Sequence, residues 1–129
     1  MKLLLYDSCN YTQSDIMDTL SAMGISYQNV VYRLKNIHED DFFRSRIVKL
    51  LMEESFDAVY SVNYFPILAK ICLEQDIPYI AWIYDSPLGI PNIEETLGYP
   101  TNHVYFFDRM DYLDFLQKGF STVGHLPLG

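Results

Sequence analysis

The tripeptide Tyr-Asp-Ser occurs twice in this chain, at residues 6–8 after KLLL and at residues 84–86 after YIAWI. Each copy stands where an apolar run gives way to polar residues. Two carboxylates held near each other in a partly dry cleft raise the pKa of at least one. Asp85 and Asp7 are therefore candidates for a general base or for an acceptor of substrate hydroxyl protons. Ser8 and Ser86 add a hydroxyl beside each acid. Two further apolar runs end in Asn63-Tyr64-Phe65 and in Asp108-Arg109. Tyr6, Tyr64, Tyr84 and Trp82 offer flat apolar surface with polar edges. Alternation along a strand puts Ile80, Trp82 and Tyr84 on one face, which favours Trp82 as a core residue. Asp, Ser and Pro are also the residues with which chains leave strands, and Asp108 in DRMD reads as a helix N-cap with a second acid three residues on.

The elements that must position these groups alternate. KLLLY is an unbroken apolar run, as expected of a central strand covered on both faces. TQSDIMDTLSAMG places Ile16, Met17, Leu20 and Met23 on one helical stripe, with Thr12 or Ser14 to start it and Gly24 to end it. SYQNVVY reads as a second strand. Residues 39–54 form a helix with Phe43, Ile47, Leu50 and Leu51 inward and its acids ahead of its bases, matching the helix dipole. DAVYSVN, PYIAWIYD, HVYFFD and STVGHL supply four more strands. Between them lie the helix YFPILAKICLEQ, with Pro66 in its first turn, and the helix RMDYLDFLQKG, closed by Gly119. Residues 86–102 read as loop with at most a short helix. Strand and helix repeating with short links predict an α/β fold, a Rossmann-like doubly wound, mostly parallel sheet of about six strands in three layers. Ligands in such sheets sit beyond the carboxyl ends of the strands, where the strand order reverses. With the common order 3-2-1-4-5-6, strands one and four adjoin there and the two triplets face each other across one crevice.

The totals narrow the function classes. The 129 residues suffice for one domain with a core of its own; half are hydrophobic and 20% charged, a globular composition. A net charge of -8 opposes a nucleic-acid surface, which needs a basic face. Cys9 and Cys72 suggest no disulfide framework; Cys72 reads as a small buried side chain, and a reducing, cytoplasmic location is expected. The first apolar run breaks at Asp7, too early for a signal peptide, and no run reaches the ~20 residues of a membrane span. Peripheral attachment to a membrane stays open. No Gly-x-Gly-x-x-Gly follows the first strand, and there is neither a P-loop nor a Gly-x-Ser-x-Gly elbow. His38, His103 and His125 lie far apart and pair with no cysteine at metal spacing. No cofactor and no metal is expected. A receiver domain would need a lysine at the end of the fifth strand, where this chain has Asp108-Arg109.

LLLYDSCNYTQSDIMDTLSAMG, FDAVYSVNYFPILAKIC, IPYIAWIYDSPL and VYFFDRMDYLDFLQKGFSTVGHLPL together resemble the N-terminal domain of bacterial glycosyltransferase-like proteins of the spore-maturation-protein-B-like group. In that group a short N-terminal domain of unknown function precedes a glycosyltransferase domain. The resemblance spans nearly the whole chain, and its most specific pieces are SVNYFP, WIYDSP, FFDR and HLPL. It implies a GT-B enzyme in which two Rossmann-like domains face each other across a cleft. The C-terminal domain would then hold the nucleotide-sugar donor. Residues 1–129 would shape the acceptor side, toward a cell-envelope or spore-surface glycan or glycoprotein. Carried onto this chain, Asp7, Asn63, Tyr64, Asp85, Ser86, Asp108 and Arg109 would face that cleft. The chain ends at HLPLG, where the group would run into its second domain, so no glycosyl transfer is expected from these residues alone. The alternatives are a non-catalytic Rossmann-like module that binds a partner protein or a small ligand, for which the eleven tyrosines suit a contact surface, and a hydrolase using Asp7 and Asp85 as an acid/base pair.

Overall fold

Strand β1 (Lys2–Asp7) carries three consecutive buried residues, Leu4, Leu5 and Tyr6. Successive strand residues point to opposite faces, so both sides of β1 are covered, as its unbroken apolar run requires. The computed structural model describes residues 1–9, 12–84 and 90–127. Among these, β1 is joined by β2 (Ser26–Val31), β3 (Ala58–Val62), β4 (Tyr79–Ile83), β5 (Asn102–Phe106) and β6 (Val123–His125), and all pair in parallel. Helices α1 (Gln13–Ala22), α2 (Asp41–Glu53), α3 (Pro66–Gln75), α4 (Glu94–Leu97) and α5 (Arg109–Gln117) connect them. The result is a Rossmann-like doubly wound α/β fold.

The strand order is β2-β1-β3-β4-β5-β6. This corrects the expected 3-2-1-4-5-6 order. The reversal lies between β1 and β3, so β1 and β4 are separated by a whole strand, about 10 Å in the sheet. Asp7 at the end of β1 and Tyr84 after β4 are therefore not facing neighbours. The physical reason is visible in β2, whose SYQNVV buries only Val30 fully and tolerates an edge, whereas AVYSV of β3 is buried at four of five positions and needs neighbours on both sides.

Right-handed crossovers then distribute the helices unequally. The link from β1 to β2 runs one way along the sheet and places α1 on one face. Every later link runs the other way and places α2 to α5 on the opposite face. One core results, in which Leu4, Tyr6, Val59, Tyr79, Ala81, Ile83, Val104 and Phe106 pack on Phe43, Ile47, Leu68, Ile71, Leu97 and Phe115. Cys72 is fully buried there, as expected.

Local signals act as their residue types require. Pro66 opens α3, where its missing N–H leaves nothing unpaired. Asp40 caps α2 by accepting from Phe43 N. Gly24 and Gly119 take φ of +75° and +100° beyond α1 and α5, a region open to glycine. The stripe expected on α1 holds in part: Ile16, Met17 and Leu20 are half-buried, whereas Met23 is 66% exposed.

Candidate functional site

At the carboxyl end of β1 the Asp7 carboxylate is held from two sides. Its Oδ1 accepts from Cys9 N at 2.7 Å, and its Oδ2 accepts from Asn29 Nδ2 at 3.0 Å. Asn29 Oδ1 in turn accepts from Gln13 Nε2 at 2.7 Å, and Gln13 is buried at the start of α1. The chain of contacts ties β1, β2 and α1 together at the carboxyl edge. Ser8 follows, half-buried, and Cys9 turns the backbone with φ of 68°.

Asn63 leaves β3 in the left-handed region, φ 67°, which asparagine tolerates better than most residues. Its N–H donates to Trp82 O at 2.7 Å, and its Oδ1 accepts from Tyr84 N at 3.0 Å. The side chain thus extends the β3–β4 ladder by one rung. Tyr64 turns inward and is 1% exposed. Its hydroxyl meets Thr96 Oγ1 at 2.6 Å and accepts from Asn102 Nδ2 at 3.2 Å. Burial pushes its pKa up. Tyr64 is therefore a core group here and not a rim contact; nothing in an Asn-Tyr-Phe triplet says which aromatic ring faces in.

Asp108 is the N-cap of α5 and accepts from Met110 N at 2.7 Å and Asp111 N at 3.2 Å. The cap expected from DRMD is present. Asp108→Ala is expected to remove about 1 kcal/mol of stability, read as a lower urea midpoint at unchanged slope. Arg109 follows on the first turn of α5 and is exposed. Asp85 and Ser86 lie outside the described residues.

The feature that sequence reasoning missed is the second face of the sheet. Beyond α1 no helix among the described residues covers β4 and β5 on that side. Tyr84, Tyr105 and Phe107 are 48%, 36% and 36% exposed there. Tyr84 packs against Trp82 with centroids 5.7 Å apart and against Phe107 at 5.2 Å. Trp82 shares this half-open face with Ile80 and Tyr84, as alternation required, and is not core. Its Nε1 donates to Leu126 O at 2.9 Å, so the segment after β6 is tied across β5 to the indole. Tyr105 lies over Gly124, where an added Cβ would stand 2.8 Å from the ring. The signal was available: aromatic residues at alternate positions in both YIAWIY and HVYFF mean two apolar faces, and only one can belong to a single core.

Among the described residues no group of three His, Cys, Asp or Glu side chains is placed to hold a metal ion, and no helix is long and apolar enough to cross a membrane. No protein-family model matches the chain, and no curated protein matches it.

Proposed function

We propose that this chain is the acceptor-side, N-terminal domain of a two-domain GT-B glycosyltransferase, acting on a cell-envelope or spore-surface glycan or glycoprotein and inactive alone. The reading rests on the resemblance of SVNYFP, WIYDSP, FFDR and HLPL. The observation that carries it into the structure is the carboxyl edge of the parallel sheet. There Tyr84, Phe107, Asp108 and Arg109 stand exposed at the ends of β4 and β5, with the end of β3 between them and the polar end of β1. A nucleotide-sugar donor would be held mainly by the second domain, and the protein would work in the cytoplasm or at a membrane surface.

A protein carrying both domains is expected to transfer or hydrolyse from a nucleotide sugar. Asp85→Asn is expected to lower its turnover about a hundredfold, with the thermal unfolding of the protein unchanged. Normal turnover in that variant removes Asp85 from the mechanism. Asp7→Asn needs the unfolding control more, because Asp7 also ties β1 to Asn29.

A second reading, a non-catalytic module that binds a partner protein, is favoured by one observation: the open aromatic face of Trp82, Tyr84, Tyr105 and Phe107. Parallel sheets occur almost only with both faces covered. Size-exclusion chromatography with light scattering separates the two readings. Self-association relieved by Tyr105→Ser supports a contact face, and a strict monomer at high concentration counts against it.

A further inference from the structure

Between α1 and the sheet runs a groove of about 400 Å³, within the range of small-molecule sites. Its walls are apolar: Leu3 from β1, Ile16 and Leu20 from α1, and Trp82 from β4. Thr12 at the start of α1 and residues 15, 16, 19 and 20 within it reach the groove because spacings of three and four lie on one side of a helix. The polar groups differ in what remains open. Thr19 Oγ1 already donates to Asp15 O at 2.8 Å, and Thr12 already has a partner. The carboxylate of Asp15, which is exposed at the groove, has no partner among the described residues, and neither has the hydroxyl of Tyr60. Tyr60 is half-buried on the floor.

We propose that this groove binds a small organic cation, an ammonium group carried on an aryl or branched alkyl body. Among the described residues Asp15 is the one charged residue lining it, and its negative charge selects a cationic end over an anionic one. Trp82 and Tyr60 line it with aromatic rings, whose faces attract an ammonium group and also accept the apolar body. The open Tyr60 hydroxyl accepts one N–H. A net charge of -8 raises the local concentration of cations around the protein. The same charge opposes a second copy of the chain as occupant.

Trp82 is the single tryptophan of the chain, so its fluorescence reports on the groove directly. The 129-residue chain is titrated with phenethylammonium, with the neutral phenethyl alcohol and with 3-phenylpropanoate. A saturable change is expected, with phenethylammonium binding about fivefold tighter than the alcohol and the carboxylate weakest. Asp15→Asn is expected to erase the advantage of the ammonium and leave the alcohol unchanged; Asp15 is exposed, so the fold tolerates the variant. Tyr60→Phe is expected to weaken the ammonium about threefold. No saturable response to about 10 mM phenethylammonium, equal affinity for amine and alcohol, or an advantage that survives Asp15→Asn would each overturn the proposal. So would a chain that gives no response and elutes as a dimer, because a second copy then fills the groove. The readout is binding on the α1 side of the sheet and is independent of glycosyl transfer.

Discussion

Between about pH 9 and pH 11 the domain is expected to unfold in one cooperative transition, before its buried tyrosines titrate in the folded state. Four protonated groups of the core carry most of the effect. Half-buried Tyr60 on the α1 side, also pushed up to about 12 by burial, adds to it. Burial pushes Tyr6 up to about 12 from 10.0 and Cys72 up to about 12 from 9.0. Burial also raises Tyr64, and it raises Tyr79 well above its usual value. Their hydroxyls lie in the core: Tyr6 donates to Tyr32 O at 2.7 Å, and Tyr79 meets Ser61 Oγ at 2.6 Å. Tyrosine and cysteine are neutral when protonated, so a raised folded pKa means the folded state holds the proton more tightly. The stability this contributes is intact below the unfolded pKa and is lost as pH rises toward the folded one. The window opens near the ordinary thiol value for Cys72 and near the ordinary phenol value for the tyrosines. Each group then withdraws about 1.4 kcal/mol per pH unit, and together they remove roughly 7 kcal/mol by pH 11. That approaches the whole stability of an ordinary domain.

Ellipticity and tyrosinate absorbance followed together test this, and the two are expected to change at the same pH. Tyrosines that ionise gradually while the ellipticity persists to about pH 12 would contradict it. Cys72→Ala gives a second check. It weakens the protein at neutral pH through the cavity it leaves. It also flattens the fall of stability between about pH 9 and pH 10 by about 1.4 kcal/mol per unit.

Asn102→Asp is expected to destabilise the domain by about 4 kcal/mol or more at neutral pH, far more than its single-atom change suggests. Asn102 is 2% exposed, at the start of β5. Its Nδ2 donates to Thr96 O at 2.9 Å and Leu97 O at 3.2 Å, and reaches the Tyr64 hydroxyl at 3.2 Å. The amide therefore joins β5, α4 and the end of β3 at one point. A carboxylate there would turn donors into acceptors and face two carbonyl oxygens with a buried negative charge. Asn102→Ala loses the same bonds without the charge and is expected to cost about 2 kcal/mol. The aspartate of Asn102→Asp would be raised in the folded state, so its penalty relative to wild type grows as pH rises and shrinks in acid. Urea unfolding of the three proteins at pH 7 and near pH 4 decides the matter. Equal stability of Asn102→Asp and Asn102→Ala at both pH values would mean that the buried charge is relieved by water.

Taken residue by residue, the chain's own order of types determined much of the architecture. Unbroken apolar runs such as KLLLY announce strands covered on two faces. Pro66, Asp40, Asp108, Gly24 and Gly119 start and stop helices through φ restriction, side-chain capping and left-handed freedom, which act within a few residues. These are local effects, and local effects are legible in a sequence. Cys72 in its apolar helix is legible for the same reason.

The tertiary structure alone decided which strands adjoin and which way each ring turns. Both orders of strands satisfy the same alternation and the same crossover hand; the choice follows from β3 needing two neighbours while β2 tolerates an edge. That choice separates Asp7 from the end of β4 and puts Asn63 between them as a rung of the ladder. Tyr64 faces Thr96, whereas Tyr84 stands 48% exposed, because one lies above the single core and the other on the sheet face that α1 leaves open. Pairing across a sheet joins residues dozens of positions apart, and the energy that fixes it is packing and burial, shared among many side chains rather than written in any short stretch.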